Sequence, residues 1–382
     1  MKILRLIPSI NPVLGGTVEA LKQTTQALIS VGVKVEIACM DDAQSEFVLA
    51  FPCVVHATGL GQGVYSYSKS YMDWLLSNVH RYDCVIVEGI WQYHSYAVRK
   101  ACLKHNVPYF VFVHGMLARW FKQQYPLKHL KKWIYWLIVE YKVLRDAKKV
   151  FYTTKEEMLQ ARESFFLYCC NEKIINHGIY GVEVDKHKHS ACFKSLFPEI
   201  KDKKILLYLG RIHPVKGIDD LIKAYAATKD ANESHYLLIA GPDQVGFRKE
   251  LQQLELELGV ENKIIWTGNL PGEVKWGAYQ CAEALILPSH QENFGMVVPE
   301  ALSCGLPVLI SDKVNIWKEV LEDGAGIVGK DNLQGCQQLL QDWMDLTENQ
   351  KDEMKINARQ CFERRFEISV AAEGLLKAIH EN

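Results

Sequence analysis

Two carboxylates, Glu292 and Glu300, bracket a segment that is suited to bind a charged ligand. The surrounding sequence, 288–312, reads PSHQENFGMVVPEALSCGLPVLISD, and the apolar run ALILPS leads into it as a buried strand would. The polar part ends at Gly295, which favours a turn. A helix is predicted to follow, with Pro299 in its first turn, where a missing N–H costs little.

The amino terminus of this helix is the predicted phosphate-binding element. Open α/β sheets bind ligands at the carboxyl ends of their parallel strands, and helix amino termini there attract phosphate because their first amides lack intrahelical partners. The helix is predicted to close at Cys304–Gly305, with Gly305 as a left-handed cap, before Pro307 opens the strand PVLIS. The residues predicted to contact the ligand here are Asn293, Phe294, Gly295, Met296 and Val297.

The spacing of Glu292 and Glu300 decides between two kinds of chemistry. Eight positions on a helix place them on the order of 12 Å apart, whereas the two carboxylates of a glycoside hydrolase stand roughly 5 to 9.5 Å apart. The pair therefore does not suit hydrolysis. Carboxylates also accept hydrogen bonds from vicinal hydroxyls, and two of them at opposite ends of a phosphate-binding turn suit two sugar rings on either side of a diphosphate. Such a ligand is a nucleotide sugar.

The segment ENFGMVVPEALSCGLPV resembles the E-x7-E signature of the retaining, GT-B-fold glycosyltransferases of family four. The resemblance implies an α/β protein with two Rossmann-like, doubly wound parallel-sheet domains that face a cleft. It also implies that Glu292 holds the hydroxyls of the donor sugar and that Glu300 holds the ribose. The sequence departs from the family after PVLISD, where KVNIWKEV replaces a glycine-glycine-x-proline turn, so no role is assigned to residues 313–317.

A pair of cations, Arg211 and Lys216, follows the strand ILLYLGR in the sequence GRIHPVKG. Arginine binds an anion through its fork and lysine as a point charge, although a cation pair in a loop is often only surface charge. The resemblance implies that GR-x4-KG is a diphosphate clamp. Because the chain has no D-x-D sequence, we predict no metal site, and no cofactor is expected. The resemblance also implies donor contacts at the glycines of three strand ends, Gly210, Gly241 and Gly268.

The first half of the chain offers two further candidates. Gly15 and Gly16 follow the strand ILRLIPS and open a helix, so their amides are suited to approach an anion, but such pairs also form plain turns. His114 ends the strand PYFVFVHG, where a histidine also serves to satisfy loop carbonyls. The resemblance implies that the glycine loop lies against the donor diphosphate and the acceptor. It also implies that His114 faces the donor sugar from the opposite domain.

Two domains are expected, because 382 residues exceed what one core usually fills, and strands alternate with helical stretches in both halves. We assign 1–180 to an acceptor-side domain, 181–203 to a linker without a regular period, and 204–361 to a nucleotide-sugar-binding domain. The resemblance implies that the last segment, 362–382, is a helix that returns to the first domain. The linker histidines, predicted to be solvated, are His187 and His189.

Composition indicates a folded protein of a reducing compartment. Hydrophobic residues make up 48% of the chain and charged residues 23%, which argues against disorder. Eleven cysteines without C-x-x-C spacing predict free thiols rather than disulfides or zinc sites. A net charge of −1 gives no general attraction to nucleic acid, so no nucleic-acid partner is expected. The sequence shows no signal-like start and no run of apolar residues long enough to span a membrane, so a cytoplasmic location is expected.

The segment 119–149 carries nine lysines and arginines against two acids, with seven aromatic residues among them. A basic, aromatic amphipathic stretch is suited to an anionic bilayer surface. The same pattern is typical of a helix that packs on a sheet and exposes a basic face. Two interpretations therefore remain open, a peripheral contact with the inner face of the membrane and an ordinary packed helix.

The function that the resemblance implies is retaining transfer of a hexose from a UDP- or GDP-linked donor to an acceptor hydroxyl, in polysaccharide or glycolipid biosynthesis. The acceptor is expected to be a sugar, a lipid-linked precursor or a small molecule. The predicted catalytic residues are His114, Arg211, Lys216 and Glu292. They act through positioning and electrostatics, without a protein nucleophile. The alternatives are a nucleotide-sugar epimerase, a phosphorylase, and a catalytically silent nucleotide-sugar-binding module.

Overall fold

A parallel sheet forms the centre of each of two units in the chain. The structure is a computed structural model that describes residues 1–118, 126–181 and 186–381. The first unit comprises Met1–Ile179 with Ile368–Asn382, and the second comprises Tyr180–Glu367. No helix among the described residues is long and apolar enough to cross a membrane.

The sheet of the first unit has seven strands in the order β3-β2-β1-β4-β5-β6-β7, and every pairing is parallel. The order reverses between β1 and β4, which makes their carboxyl ends the topological switch point, where doubly wound sheets bind ligands. The strands are β1 (Lys2–Leu6), β2 (Lys34–Cys39), β3 (Val54–Ala57), β4 (Cys84–Glu88), β5 (Tyr109–Phe112), β6 (Lys149–Tyr152) and β7 (Glu172–Ile174).

Helices cover both faces of this sheet, because its central strands are apolar on both sides, as buried parallel strands are. Ile3, Ile86 and Phe110 lie in one core cluster, and Leu4 and Val85 lie in a second one. A π-helical turn separates α5 from α6. The helices are α1 (Gly16–Ser30), α2 (Glu46–Leu49), α3 (Lys69–Asn78), α4 (Tyr93–His105), α5 (Pro126–Tyr135), α6 (Tyr141–Asp146) and α7 (Lys155–Arg162).

The sheet of the second unit has the order β10-β9-β8-β11-β12-β13, again with parallel pairings, and its switch point lies between β8 and β11. Its strands are β8 (Lys204–Leu209), β9 (His235–Ala240), β10 (Ile264–Gly268), β11 (Ala284–Leu287), β12 (Val308–Ser311) and β13 (Gly326–Gly329). Its helices are α8 (Lys186–Leu196), α9 (Ile218–Ala227), α10 (Lys229–Ser234), α11 (Arg248–Leu258), α12 (Gly272–Cys281), α13 (Val297–Ser303), α14 (Trp317–Glu322), α15 (Leu333–Asp345) and α16 (Glu348–Cys361). The prediction of two doubly wound parallel sheets is confirmed.

The predicted linker, 181–203, is wrong where it contains α8, which belongs to the second unit. His189 and Phe193, one turn apart, are both buried, so His189 is not the solvated linker residue that we predicted. A Cβ at Gly277 of α12 would lie 2.4 Å from the carbonyl oxygen of His189 and 2.6 Å from Cβ of Phe193, which shows how closely the two helices pack. Residues 182–185 of the predicted linker lie outside the described part of the chain.

The last helix, α17 (Ile368–His380), belongs to the first unit. The N–H of Ile368 donates to the carbonyl of Ile179 (3.0 Å), and Nζ of Lys149 donates to the carbonyl of Ala378 (2.9 Å). The predicted boundary at 362 needs correction, because the π-helical turn Phe362–Phe366 still belongs to the second unit.

Candidate active site

The second unit brings Lys216 and Glu292 together at its switch point. Lys216 ends the short helical turn Pro214–Lys216 that follows β8, and Glu292 follows β11. Because β8 and β11 are paired neighbours, their carboxyl ends lie side by side. The ammonium of Lys216 contacts the carboxylate of Glu292, and Lys216 is only 7% exposed. A buried cation and its counter-ion thus lie where open α/β sheets bind ligands.

Two glycines let the backbone come close to this ion pair. Gly217 has a φ of +67°, and a Cβ there would lie 2.4 Å from the carbonyl oxygen of Pro288. Gly295 has a φ of +71°, and a Cβ there would lie 2.9 Å from Cγ of Glu292. A side chain at either position would be strained and would displace the segments that carry the ion pair.

Three of the glycines predicted to contact the donor lie on adjacent strand ends. The N–H of Gly210 donates to the carbonyl of Ala240 (3.0 Å), and the N–H of Gly241 donates to the carbonyl of Gly268 (2.8 Å). Gly241 has a φ of +142°, and a Cβ there would lie 1.8 Å from the carbonyl oxygen of Gly210. The ends of β8, β9 and β10 therefore form a row of backbone beside the ion pair.

The helix predicted to bind phosphate, α13, begins at Val297 and has Pro299 as its third residue, in agreement with the sequence. Gly305 follows its end with a φ of +70°, as predicted for a left-handed cap. The ring of Phe294 is buried against Phe366, with 5.8 Å between ring centroids, so this side chain contributes packing. Asn293 and Met296 of the same turn are partly exposed.

Glu300 is held by two residues that the sequence analysis did not identify. Its Oε1 accepts a hydrogen bond from Nζ of Lys275 (2.7 Å), and its Oε2 accepts one from the hydroxyl of Tyr279 (2.8 Å). Burial, with the charge of Glu300 beside it, raises the pKa of Tyr279 well above its ordinary value, so the hydroxyl remains a donor. Lys275 and Tyr279 lie one turn apart on α12, and this i, i+4 spacing predicts that they share a helix face but does not point to Glu300.

Residues 313–315, to which the sequence assigned no role, hold the backbone of Glu292. The N–H of Glu292 donates to the carbonyl of Lys313 (3.0 Å), and its carbonyl accepts from the N–H of Asn315 (3.0 Å). Nδ2 of Asn315, a buried side chain, also donates to Oδ1 of Asn293 (3.3 Å). The segment that departs from the family thus fixes the position of a predicted catalytic residue.

Arg211 differs from Lys216 in its surroundings. It is exposed, and its carbonyl accepts a hydrogen bond from the hydroxyl of Tyr208 (3.0 Å), which fixes the backbone of the turn. His213 lies between the two cations, and burial together with their charges lowers its pKa. The structure therefore places Lys216 in the ion pair with Glu292 and leaves the guanidinium of Arg211 at the surface.

In the first unit, Gly15 and Gly16 lie after β1, at the switch point. Gly15 has a φ of +78° and precedes α1, which begins at Gly16. No described atom outside its chain neighbours lies within 4 Å of a Cβ built on Gly15, so it is the backbone conformation that requires glycine here. The first amides of α1 therefore lie at the edge of the sheet where the sequence predicts a donor contact.

His114 takes part in a buried charge network that neither sequence interpretation included. Its Nε2 lies 2.7 Å from Oε2 of Glu88, the last residue of β4, and Oε1 of Glu88 accepts two hydrogen bonds from Arg5 (2.9 and 2.6 Å). Its ring packs against those of Phe112 and His177, with centroid distances of 5.5 and 5.4 Å, and these two rings also contact each other at 5.8 Å. His114 has a left-handed φ of +51°, and its imidazole contacts Glu88, Phe112 and His177.

The charge state of this network follows from its contacts. Burial alone would raise the pKa of Glu88, but the charge of Arg5 and the hydrogen bond with His114 outweigh it and lower the pKa to about 2. Burial and the neighbouring His114 lower the pKa of His177 to about 3, so His177 is neutral at physiological pH. The sequence signal for the network was a charged residue inside each of two apolar strands, ILRLI and CVIVEG.

A second buried carboxylate, Glu140, lies beside the strained residue that follows β4. Trp91 has a φ of +77°, which is a sparsely populated conformation for a bulky residue. Its N–H donates to Oε1 of Glu140 (2.8 Å), which also accepts from the hydroxyl of Ser95 (2.7 Å). Oε2 of Glu140 has no hydrogen-bond partner among the described residues, and burial raises the pKa of this group to about 7.

The Glu140→Gln variant is expected to be more stable than the wild type above about pH 7 and similarly stable near pH 5. The folded protein retains a proton on Glu140 that the unfolded chain releases above its ordinary pKa of 4.5, so wild-type stability falls as pH rises from 4.5 to about 7. The shift corresponds to about 3 kcal/mol at most, and each kcal/mol changes a melting temperature by about 2 to 4 °C. Melting curves of both proteins at pH 5 and 8 check this. Equal differences at both pH values would contradict it.

Two family models match the chain. The model described as glycosyl transferases group 1 matches residues 194–361, and the model described as a glycosyl transferase 4-like domain matches residues 15–167. An uncharacterized glycosyltransferase of Methanocaldococcus jannaschii is 29% identical over 179 residues, 45% of each chain. A D-inositol 3-phosphate glycosyltransferase of Thermomonospora curvata is 30% identical over 135 residues, 34% of this chain and 31% of the relative. The chain thus spans less than half the length of these curated relatives.

Solved structures share the fold along the whole chain. The Anabaena protein HepE in complex with UDP and glucose has a TM-score of 0.77 at 16% identity, and the match covers 100% of both chains. A sucrose-phosphate synthase of Thermosynechococcus elongatus has a TM-score of 0.76 at 19% identity over 99% of this chain and 98% of that chain. These likenesses agree with the predicted GT-B fold. The two glycosyl transferase models together match residues 15–167 and 194–361, which is most of the chain. The chain therefore belongs to the group 1 glycosyl transferases.

Proposed function

We propose that this protein is a glycosyltransferase that moves a hexose from a UDP- or GDP-linked donor to an acceptor hydroxyl, with retention of the anomeric configuration. The observation that supports this best is the contact of Lys216 with Glu292 at the switch point of the second unit. A cation beside a carboxylate, next to strand ends lined by glycine, offers charge for a diphosphate and an acceptor for sugar hydroxyls at neighbouring positions.

In this proposal Lys216 serves Glu292 and the donor together, because an ammonium group has three N–H donors. Arg211 adds a second cation from the exposed side of the same segment. Both stabilise the negative charge that grows on the diphosphate as the bond between its oxygen and the anomeric carbon breaks. The acceptor oxygen bonds to the anomeric carbon on the face of the sugar from which the diphosphate leaves. The proton of the acceptor hydroxyl passes to the departing diphosphate. The proposal includes neither a protein nucleophile nor a metal.

The remaining site residues orient the donor. Glu292 accepts the hydroxyls of the donor sugar, and Glu300, held by Lys275 and Tyr279, accepts those of the ribose. His114 contributes a contact to the donor sugar, and this contact falls to its Nδ1 because Nε2 is engaged with Glu88. Backbone groups of the glycine row and of Gly15 and Gly16 bind the rest of the donor. These fixed groups pre-organise the site for charge that develops during transfer.

A thermal-shift panel of UDP-, GDP- and ADP-hexoses tests the proposal. A ligand at 100 times its dissociation constant stabilises the protein by about 2.7 kcal/mol, so one donor is expected to raise the melting temperature clearly above the others. Binding without any turnover would favour the silent binding module, and formation of an isomeric sugar nucleotide would favour the epimerase. If no nucleotide sugar shifts the curve, the proposed function is wrong.

We also propose that the first unit binds an anionic membrane surface, where a lipid-linked or surface-polysaccharide acceptor would be found. Leu130, Ile134 and Ile138 lie at helical spacing and are 62–63% exposed, and Lys131 beside them is exposed. An exposed apolar stripe flanked by a cation matches the interface between acyl chains and anionic headgroups. Residues 119–125 of the predicted basic stretch lie outside the described part of the chain.

Part of the basic excess in this stretch has an internal use. Nζ of Lys132 lies 4.6 Å from the centroid of the Trp91 ring, and burial lowers the pKa of Lys132. Nζ of Lys149 is buried against the carbonyl of Ala378. The charge count of the sequence therefore overstates the number of cations available to a membrane.

The expected result is that the protein sediments with anionic vesicles, does not sediment with neutral ones, and is released by high salt. Each lysine near an anionic surface contributes about 1 kcal/mol, so Lys131→Glu should weaken binding about fivefold or more. Ile134→Ser should weaken it as well, because it removes apolar area from the stripe. Lys104→Glu, an exposed site on α4, is the matched control and should bind as the wild type does. Wild-type protein that ignores anionic vesicles at low salt would contradict the membrane proposal.

A further inference from the structure

His290 connects two segments of the candidate site through its backbone. It follows β11 and stands two residues before Glu292. Its N–H donates to the carbonyl of Val215 (2.9 Å), the residue before Lys216. The Cβ position of Gly217 lies 3.6 Å from Cε1 of the His290 ring. The backbone and ring of His290 thus lie against the turn that presents Lys216.

The imidazole of His290 is anchored on its other side. Its Nδ1 contacts Oδ1 of Asp331, which follows β13 just before α15 begins. The side chains of His290 and Asp331 are 32% and 19% exposed. The ring therefore links the turn at the switch point to the end of the outermost strand of the sheet, a part of the unit that carries none of the predicted site residues.

Most charged groups that face His290 are acidic. Besides Asp331, they are Asp219 and Asp220 in the first turn of α9. Nζ of Lys223 lies 3.0 Å from Asp219 and 3.9 Å from Asp220 and offsets part of their charge. The hydrogen bond with Asp331 is the largest influence, and with these carboxylates it raises the pKa of His290 although burial opposes it. The protonated imidazole is therefore favoured in the folded protein.

We infer that His290, held by Asp331, is a positioning residue that fixes the turn carrying Lys216 against the segment carrying Glu292. The imidazolium keeps its contact with Asp331 at low pH. When it loses its proton, the charge-assisted bond becomes an ordinary one, which is about half as strong. The turn that carries Lys216 then has more conformational freedom. A smaller fraction of the molecules holds this turn in the arrangement that binds a diphosphate. This inference rests on the proposed function, since it assumes that Lys216 binds the donor.

The sign of the pH effect follows from the direction of the shift. Because the pKa of His290 is raised in the folded protein, the positioning contact is complete below the ordinary histidine range and is lost as pH rises through the raised value. Donor affinity is thus expected to fall by about three- to tenfold between about pH 6 and pH 9. A nucleotide sugar is the suitable probe, because its diphosphate is esterified at both ends and does not titrate in this range.

Calorimetric titration across this pH range, with the donor identified in the panel of UDP-, GDP- and ADP-hexoses, tests the inference. His290→Gln and Asp331→Asn should bind the donor more weakly at about pH 6 than the wild type and lose most of the pH dependence. The matched control is His235→Gln. His235 forms a similar pair with Glu283 (2.9 Å) at the start of β9, at the opposite end of the strands from Lys216. This variant should keep the wild-type pH profile even if its melting temperature falls.

Each outcome has a distinct meaning. Wild-type affinity and pH dependence in His290→Gln, or the same flat profile in His235→Gln, would overturn the positioning role while leaving the proposed function in place. Absence of binding by any nucleotide sugar in the wild type would instead overturn the proposed function. A lower melting temperature in His290→Gln with an unchanged affinity profile would show that the pair contributes only stability.

Discussion

Replacing Lys216 with alanine is expected to lower the rate of donor cleavage by about 10² or more, because removing one group that stabilises developing negative charge typically costs that much. Lys216 is buried at the switch point and touches Glu292, so no other described cation of the second unit takes its place in this ion pair. Steady-state release of the nucleoside diphosphate measures the loss. Lys216→Arg, which retains the charge, should recover part of the activity.

Loss of the ion pair could also affect folding, because Lys216→Ala leaves the carboxylate of Glu292 without its cation. The double variant Lys216→Ala with Glu292→Gln removes both charges. It should be as inactive as Lys216→Ala, and its melting temperature should be at least as high. Lys229→Ala, an exposed lysine of α10 that pairs with Glu233 at 3.7 Å, is the control and should retain full activity. Near-normal turnover in a folded Lys216→Ala protein would show that the clamp is assigned wrongly.

Alanine variants of Glu300 and Glu292 are expected to lose affinity for different ligands. Glu300→Ala should weaken binding of the free nucleoside diphosphate about 10- to 100-fold, because hydrogen bonds to a charged group contribute about 1.5 to 3 kcal/mol and the ribose is common to donor and product. Glu292→Ala should change this affinity little and should weaken binding of the sugar nucleotide. Calorimetry with both ligands distinguishes the two roles.

The contacts of Glu300 supply a graded control. Tyr279→Phe removes the hydroxyl that donates to Oε2 but leaves the carboxylate and Lys275 in place. The affinity of Tyr279→Phe for the nucleoside diphosphate should lie between that of the wild type and that of Glu300→Ala. If Glu292→Ala loses the free nucleotide and Glu300→Ala retains it, the two roles are assigned in the wrong order.

Local rules predicted the parts of the structure that depend on neighbouring residues. Apolar runs gave the central strands, Pro299 marked the first turn of α13, and Gly305 marked its end. The glycine turns after β8, β9 and β10 were recognised as well, and their reason is the close backbone approach seen at Gly241. These features follow from one segment at a time.

Features that depend on distant segments were missed. The partners of Glu300 lie on α12, and nothing near Glu300 in the sequence points to them. The backbone of Glu292 is fixed by residues 313–315, which only strand pairing brings near it. The helix α8 was overlooked because its buried stripe includes His189, which counts as polar in a periodicity pattern.

The first unit shows the same limit for buried charges. Arg5 and Glu88 stand in strands that read as apolar, and only the alignment of β1 with β4 shows that each neutralises the other. His114 was identified from its place at a strand end, but the resemblance could not supply its contact with Glu88. In the first unit, the pairing of the strands therefore determines that Arg5 and Glu88 bind each other and are not free to bind a ligand.

Transfer from a nucleotide sugar with the help of Lys216 can be tested by measuring the release of nucleoside diphosphate from a panel of UDP-, GDP- and ADP-hexoses, with and without simple sugar acceptors. We expect slow release from one donor by the wild-type protein, faster release when a suitable acceptor is present, and a rate at least about 10² lower in Lys216→Ala. If no donor in the panel is cleaved, or if Lys216→Ala cleaves the donor as fast as the wild type does, the proposed function of this site is wrong.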